Sequence, residues 1–305
     1  MSGIQFMLDK TNVNFITWRN FFLNTSLFIS FVFILLIFFK GFNYGIDFKG
    51  GLLIELRPLI DDLDLSKLRF DLKDCNLNGI KIQSVGIGGD VMIRVEHESF
   101  LDNSQNKTLV YIQKNLSDLV EYRRIDLIGP TVSNDLKYNG IISVSLSLIA
   151  MFFYIWFRFE WQFSLCAIIS LIHDIIFVLG FYSLFELELN ETIIIVMLTI
   201  LGYSVNDTVV IYDRIRENLY RYKLDELDKP SFLMIINTSL NETLSRTILT
   251  SSSTLLSLLV LYFFGGVIIA SFSLPIMVGI IIGTYSSIFL ASFLLIKLNI
   301  TNVNI

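Results

Sequence analysis

Apolar positions along this chain cluster into six runs, and a polar stretch at residues 40–137 separates the first run from the other five. About 20 consecutive apolar residues span a bilayer core, because an α-helix rises only about 1.5 Å per residue. The pattern therefore predicts six transmembrane helices with one inserted domain. The predicted spans are residues 21–39, 140–157, 163–185, 191–211, 247–264 and 272–296.

The inserted stretch has the pattern of a folded domain. Period-two alternation predicts strands at residues 52–59, 80–85, 91–95 and 124–128, and helical spacing predicts helices at 65–74 and 107–122. The order β-α-β-β-α-β is that of a ferredoxin-like split βαβ domain. The predicted fold class is a polytopic α-helical membrane protein with six transmembrane helices and an extracytoplasmic ferredoxin-like α+β domain between helices 1 and 2.

Basic residues in the short polar segments predict the orientation. Ten Lys and Arg lie in residues 1–20, in the turn after the second span, in the loop 212–246 and in the tail 297–305, whereas the short loops after spans three and five hold none. The positive-inside rule then places both ends of the chain in the cytoplasm. We expect the first span to stay uncleaved, because it exceeds a signal-peptide core and no small-residue cleavage site follows it.

Composition narrows the function classes. The chain is 53% hydrophobic and has a mean hydropathy of +0.64, which favours a membrane protein. Its net charge of −5 argues against nucleic acid as a partner. Cys75 and Cys166 lie in different regions, so we predict no disulfide, metal site or cofactor. No set of nucleophile, base and orienting group is evident, so we do not expect an enzyme.

Asp207 is the most informative residue, because it is charged and lies inside the fourth predicted span. A charge at the bilayer centre costs about 2.5–3.5 kcal/mol on insertion scales, so it must be paired, face a wet interior or serve a function. Arg246 begins the fifth span from the same side. The two side chains are predicted to form a pair that binds and releases a proton as the helices shift. The alternative is a static structural ion pair.

His173 and Asp174 lie near the middle of the third span. An intramembrane carboxylate is expected to face the interior of the helix bundle. The functional hypothesis is a second proton-relay station. The alternative is a buried structural network.

Four motifs resemble the SecD/SecF family of bacterial protein-export membrane proteins, part of the resistance–nodulation–division (RND) superfamily. Residues 45–51 (GIDFKGG) are similar to the family's glycine motif, and residues 173–174 to a His-Asp pair in its third span. Residues 202–218 (GYSVNDTVVIYDRIREN) and 241–247 (NETLSRT) are similar to its fourth-span and fifth-span motifs. The motif residues that the resemblance singles out are Gly45, Asp47, Gly50, Gly51, Asp213 and Arg214.

The resemblance implies an auxiliary subunit of the Sec protein translocase. Such a subunit is an RND-type half that pairs with SecD, works beside the SecY, SecE and SecG channel in the bacterial inner membrane, and uses the proton-motive force to promote polypeptide export. YajC is a further candidate partner, and membrane lipid surrounds the spans. The resemblance assigns proton coupling to Asp207 and its partner Arg246.

Three positions depart from the family pattern: Lys49 replaces a small polar residue, the segment between Asp207 and Arg246 is longer than expected, and Ala270-Ser271 replaces a more polar turn. Two other functions remain open at this point. One is an RND-type exporter half for small molecules or lipids, and the other is a non-catalytic assembly scaffold of the translocase.

Overall fold

The computed structural model describes residues 12–58, 80–85, 90–96, 110, 114, 120–221 and 229–298. The chain divides into two compact units. The helical unit consists of the chain up to Phe42, Ser143–Leu187 and the chain from Ile193 onwards. The sheet unit consists of Asn43–Ile142 together with Glu188–Thr192.

Six helices in the described residues are long and apolar enough to cross a membrane, as predicted. They are numbered in chain order with a short helix, α2, between the first two. The helices are α1 (Arg19–Lys40, after a 3₁₀ turn at Ile16–Trp18), α2 (Ile46–Lys49), α3 (Pro130–Arg158), α4 (Trp161–Leu184), α5 (Thr192–Arg221), α6 (Lys229–Phe264) and α7 (Gly266–Tyr285), which continues through a π-helical turn (Ser286–Ala291) into α8 (Ser292–Lys297).

The segment predicted as a loop at residues 212–246 is largely helical. Helix α5 continues to Arg221 and α6 already begins at Lys229, so both helices extend into the segment between the predicted spans, whose place on the cytoplasmic side stays a prediction. Hydropathy marks only the apolar part of a helix, whereas the helix itself propagates wherever side chains support it. Here Glu217 forms ion pairs with Arg214 and Arg221 at helical spacing and extends α5 beyond its apolar part.

Helices α4 and α7 form the centre of the helical unit. In the most apolar segment of each helix, 56% of the residues are buried in α4 and 67% in α7 with its continuation, whereas only 11% are buried in α1, α3 and α6. The outer helices instead expose large apolar side chains such as Phe157 (97% exposed) and Phe264 (85%). Apolar surface on this scale is not tolerated in water, which is consistent with spans that face lipid.

The sheet unit contains a four-stranded antiparallel sheet. Its strands are β2 (Gly51–Pro58), β3 (Ile80–Val85), β4 (Asp90–Glu96) and β5 (Val120–Ile128), in the spatial order β3-β4-β2-β5. Leu52, Ile54 and Leu56 alternate on β2 and are almost fully buried against Ile93 and Val95 of β4. This alternation buries one face of the sheet, as period-two patterning predicts.

The strand order is the one that the predicted ferredoxin-like domain requires. Its two helices were predicted at residues 65–74 and 107–122. The first lies outside the described ranges, and so do residues 107–119 of the second apart from residues 110 and 114. The complete domain therefore stays a prediction. One boundary is wrong: Val120–Tyr122, predicted as the end of a helix, already pairs with β2 as part of β5. A β-bulge in this pairing, between Glu55 and Leu56, accommodates the longer strand.

A second, two-stranded sheet joins distant parts of the chain. Strands β1 (Asn43–Tyr44) and β6 (Glu188–Leu189) pair in parallel, with Tyr44 opposite Leu189. Strand β1 directly precedes the glycine motif, and β6 directly precedes α5. The sheet unit therefore includes Glu188–Thr192, the part of the connection between α4 and α5 that directly precedes α5.

Candidate functional site

Asp207 lies within α5 and is 7% exposed. The hydroxyl of Ser251 on α6 donates to Asp207 Oδ2 at 3.4 Å. The same hydroxyl lies 2.7 Å from the hydroxyl of Thr284 on α7. The Asp207 carboxylate is thus linked to α6 directly and to α7 through one serine.

Arg246, the predicted partner of Asp207, has an exposed side chain. In the described part of the chain the two side chains form no direct ion pair, although Arg246 is close enough for its charge to act on the Asp207 carboxylate. The proton-binding pair of Asp207 and Arg246, which was expected to form and break as the helices shift, stays a prediction. The hydroxyls of Ser251 and Thr284 occupy the immediate surroundings of Asp207 instead.

Asp174 lies on α4 and is completely buried. Its Oδ2 atom accepts hydrogen bonds from Ser204 Oγ on α5 at 2.6 Å and from Ser286 Oγ in the π-helical turn at 2.9 Å. His173 Nδ1 lies 3.1 Å from Asp174 Oδ1. As expected for an intramembrane acid, Asp174 faces the interior of the helical unit, where it ties three helices together.

The π-helical turn carries two successive serines that face neighbouring helices. Ser286 donates to Asp174 on α4, whereas Ser287 Oγ lies 2.9 Å from Thr208 Oγ1 on α5 and donates to the Ser204 carbonyl at 3.1 Å. Single π turns inside α-helices frequently occur at functional sites, and the widened turn changes which side chains share a face. The turn here brings Ser286 and Ser287 to the same interface.

Asp207 and Asp174 belong to separate hydrogen-bond networks, but both networks involve α5 and the region where α7 continues into the π-helical turn. Asp207 and Ser204 are both on α5, while Thr284 and Ser286 lie at the end of α7 and in the π-helical turn. Within the residues that the structure describes, the side-chain hydrogen bonds of Asp207 and Ser251 do not connect with those of Asp174. A displacement of α5 along α7 would nevertheless change both networks together.

The polar end of α5 carries the motif residues Asp213 and Arg214. Arg158, at the end of α3, donates to Asp213 Oδ1 at 2.8 Å, and Arg214 Nε donates to Glu242 Oε2 on α6 at 2.6 Å. Asn218 Nδ2 donates to the same Glu242 oxygen at 2.8 Å. Asp213 and Arg214 therefore connect α5 to α3 and α6, and neither contacts Asp207.

The motif residues Gly45, Asp47, Gly50 and Gly51 lie in the sheet unit, where they surround the short helix α2. Asp47 Oδ2 accepts a hydrogen bond from the Glu191 N–H at 3.0 Å, and the Gly45 N–H donates to the Leu189 carbonyl at 2.8 Å. The motif thus contacts the connection that leads into α5.

Replacing Gly50 with alanine is expected to lower stability by about 1–3 kcal/mol. Gly50 has φ 80° and ψ 153°, a region that is essentially restricted to glycine, so a Cβ atom introduces backbone strain. Thermal unfolding in detergent measures the effect. Gly129→Ala is the matched control, because its Cβ would meet no atom within 4 Å, and equal midpoints for both variants would contradict the expectation.

Sequence reasoning found the two intramembrane acids and missed the hydroxyls around them. In the sequence, Ser287 belongs to a stripe of small residues with Gly279 and Gly283, and Ser251 is one of many hydroxyl residues on α6, so neither is singled out by its type. The stripe serves internal packing, because Gly279 lies against Ile200 and Gly283 against Ser204. A close approach of α5 and α7 is the signal that could have indicated Ser204 and Ser286.

The remaining candidate metal ligands are the His, Cys, Asp and Glu side chains. The described residues hold no group of three or more of them that could bind a metal ion. Cys166 is a buried free thiol within the apolar core, and Cys75 lies outside the described ranges.

Two family models match this chain. The model described as "Protein export membrane protein SecD/SecF, C-terminal" matches residues 108–301, which is more than half of the chain. The model described as "SecD/SecF GG Motif" matches residues 35–58 and therefore includes the glycine motif and α2.

Relatives and solved structures agree with these matches. A protein translocase subunit SecF from Rickettsia conorii is 42% identical over 291 residues, which cover 95% of this chain and 92% of the relative. A protein translocase subunit SecDF from Brucella abortus is 41% identical over 257 residues, covering 84% of this chain and 33% of the relative. A crystal structure of a Thermus SecDF, titled a translocon-associated membrane protein, has a TM-score of 0.81 at 33% identity and covers 95% of this chain and 39% of that one.

This chain therefore spans about a third of the length of the Brucella SecDF and most of the length of the Rickettsia SecF. A family match over more than half of the chain and an identity of 42% with a relative of similar length support the same assignment. The chain belongs to the SecD/SecF family of protein export membrane proteins.

Proposed function

We propose that this chain is an auxiliary subunit of the Sec protein translocase that, together with SecD, uses the proton-motive force to promote export of polypeptides through the channel of SecY, SecE and SecG. The observation that carries the proposal is the buried Asp207 carboxylate, held by a hydroxyl on α6 inside a helix that is apolar enough to span a membrane. An ionisable group at that depth is functional by default.

Proton coupling requires a carboxylate that exchanges its proton and changes its partners as it does so. Two features of Asp207 support this role: the Ser251 hydroxyl that donates to it is neutral, and Arg246 is close without being bonded to it. In the proposed cycle the ionised Asp207 is drawn towards Arg246, and the protonated form returns to Ser251. The buried Asp174 is proposed as a second station, because Ser204 links it to the same helix.

Two exposed polar side chains on predicted spans support the proposed pairing with SecD. Asn206 and Arg246 are exposed on these spans, and neither forms a side-chain hydrogen bond within the ranges that the structure describes. The hydroxyls of Thr250, Ser253 and Ser257 on α6 bond to carbonyls of their own helix and are tolerated in lipid. An arginine without an ion-pair partner is costly in lipid. A protein partner is therefore proposed to cover the exposed Arg246.

The proposed orientation follows the charge of the short segments. Both ends of the chain and the polar end of α5 would lie on the cytoplasmic side of the bacterial inner membrane, and the sheet unit would lie outside it. An emerging polypeptide would meet the sheet unit on that outer side. YajC is proposed as a further partner on the basis of the family resemblance alone.

The test uses sealed inverted membrane vesicles that contain the Sec channel and SecD, prepared with and without this chain. Export of a precursor protein is measured with the proton gradient intact and after an ionophore has collapsed it. The proposal predicts that the part of export that depends on the gradient requires this chain. Equal gradient dependence with and without the chain would contradict proton coupling and leave an assembly scaffold.

A further inference from the structure

Four hydroxyl side chains occupy successive turns on the buried face of α6. These residues, which form the hydroxyl line, are Ser239, Thr243, Thr247 and Ser251, and each is at most 7% exposed. Residues four apart lie on the same face of an α-helix, about 6 Å apart along its axis. The hydroxyl line therefore follows one side of α6 from its polar end to the serine that donates to Asp207.

Each end of the hydroxyl line is bonded to α5. Ser251 donates to Asp207 at 3.4 Å at one end, and Ser239 Oγ accepts a hydrogen bond from Asn218 Nδ2 at 3.0 Å at the other. Asn218 also donates to Glu242, whose side chain is 35% exposed. The hydroxyl line thus extends from a buried acid to the neighbourhood of a carboxylate that reaches the surface.

Helix α5 is apolar along the same stretch. On the face that carries Asp207, the positions one and two turns further along are Ile211 and Ile215, which are 1% and 0% exposed. Thr208 and Tyr212 lie on an adjacent face and bond to the π-helical turn. Between Asp207 and the polar end of α5, the polar groups of this interface therefore come from α6.

Thr247 differs from its neighbours in the way its hydroxyl is bonded. Thr243 and Thr250 donate to carbonyl oxygens of the preceding turn, which is common for threonine within a helix. Thr247 is only 1% exposed, and its Oγ1 atom has no hydrogen-bond partner among the residues that the structure describes. A buried hydroxyl without a partner is unfavourable, and ordered water molecules commonly satisfy such groups.

We propose that Thr247 binds a water molecule that completes a path for protons between Asp207 and the polar end of α6. Two hydrogen bonds of about 2.8 Å, joined through one water molecule, span the rise of about 6 Å between successive members of the hydroxyl line. Thr247 is a positioning residue, because it holds the water and does not itself ionise. The inference rests on the proposed proton-driven function and identifies how protons reach and leave the buried acid.

The transfer leaves every group on the path as it was, apart from Asp207. The protonated carboxyl gives its proton to the Ser251 oxygen, the Ser251 hydroxyl proton passes to the water, and a proton of the water passes to Thr247. A hydroxyl donates one hydrogen bond and accepts others, so it can receive one proton while it releases another. Asp207 ends as a carboxylate, and one proton has moved towards the polar end of α6. By the orientation proposed above, that end faces the cytoplasm.

Two substitutions of Thr247 test the path. Thr247→Val keeps the shape of the side chain and removes the hydroxyl, so it is expected to reduce export-coupled proton release about tenfold, the effect of losing one hydrogen bond on the path. Thr247→Ser keeps a hydroxyl and is expected to retain most of the release. Proton release is followed with a pH-sensitive dye in inverted vesicles that contain the Sec channel and SecD, and thermal unfolding in detergent is measured on the same proteins.

Thr254→Val is the matched control, because Thr254 lies on α6 outside the hydroxyl line and donates to the Thr250 carbonyl. Equal proton release in Thr247→Val and Thr254→Val would overturn the proposal, and so would an equal loss in Thr247→Val and Thr247→Ser. Should Thr247→Val not assemble with SecD, Thr243→Val interrupts the hydroxyl line one turn away, and normal proton release in that variant would overturn the proposal.

The same measurement separates the path from the proposed function. Normal proton release in Thr247→Val alongside its loss in Asp207→Asn would contradict the path alone. Normal proton release in Asp207→Asn would contradict the proposed function itself.

Discussion

Replacing Asp207 with asparagine is expected to abolish gradient-dependent export while leaving the protein folded and assembled. Asparagine has the same shape and keeps an oxygen that can accept the hydrogen bond from Ser251, but it cannot bind and release a proton. The substitution also removes a charge that costs about 2.5–3.5 kcal/mol at the bilayer centre, so no loss of stability is expected. Precursor export into inverted vesicles, with and without an ionophore, measures the effect.

The control for Asp207→Asn is Glu217→Gln on the same helix. Glu217 pairs with Arg214 and Arg221, and its side chain is 48% exposed. Exposed ion pairs contribute roughly 0–1 kcal/mol, so gradient-dependent export should be nearly unchanged in this variant. An Asp207→Asn protein that exports as well as Glu217→Gln in the presence of the gradient would show that Asp207 has only an architectural role.

Two substitutions of Asp174 are expected to have different effects on stability and the same effect on export. Asp174→Ala removes the acceptor of the Ser204 and Ser286 hydroxyls in a completely buried place, and each unsatisfied group costs about 1–3 kcal/mol. Asp174→Asn retains an acceptor oxygen, so its unfolding midpoint in detergent should lie closer to that of the unmodified protein. Both variants are expected to lose gradient-dependent export, because neither can carry a proton at this position.

The asparagine variant separates the two explanations of Asp174. A purely structural carboxylate predicts that Asp174→Asn is stable and exports normally with the gradient present. A proton-relay station predicts that the same protein is stable and fails. Thermal unfolding and the export measurement on one preparation therefore decide between a structural role of the buried hydrogen bonds and a proton-relay role of Asp174.

Hydropathy predicted the six spans because a bilayer core demands long apolar runs, whatever the details of packing. It could not predict how far α5 and α6 continue, because their polar ends are stabilised by pairs such as Arg214 with Glu242, which involve two helices. The extension of β5 to Val120 was missed for a similar reason. Its pairing with β2, and not its own helical spacing, determines the conformation there.

The charged residues of the candidate site could be predicted from the sequence, because a charge is costly in a membrane. Its serines could not, because serine is common in membrane helices. Asp207 and Asp174 were evident from their charge alone. Ser204, Ser251 and Ser286 are unremarkable in a membrane helix, and only the close packing of α5 against α7 and the π-helical turn bring them to the acids. The expected direct contact of Asp207 with Arg246 is absent, since sequence gives approximate depth but not the direction of a side chain.

The glycine motif is a different case, because its meaning depends on a partner far along the chain. GIDFKGG alone suggests a turn before a strand. Its contacts with Glu188, Leu189 and Glu191 are set by the parallel pairing of β1 with β6, which no local pattern indicates. Because of this pairing, Asp47 accepts the Glu191 N–H directly before α5, a contact that its place in a turn does not predict.

Proton movement during export tests the central claim most directly. Inverted vesicles containing the Sec channel, SecD and this chain would be given an acidic interior, and proton release would be followed with a pH-sensitive dye while a precursor is exported. The account predicts that export accelerates proton release and that Asp207→Asn, at the same initial gradient, abolishes the acceleration. Proton release that is independent of export, or equal in the two proteins, would contradict it.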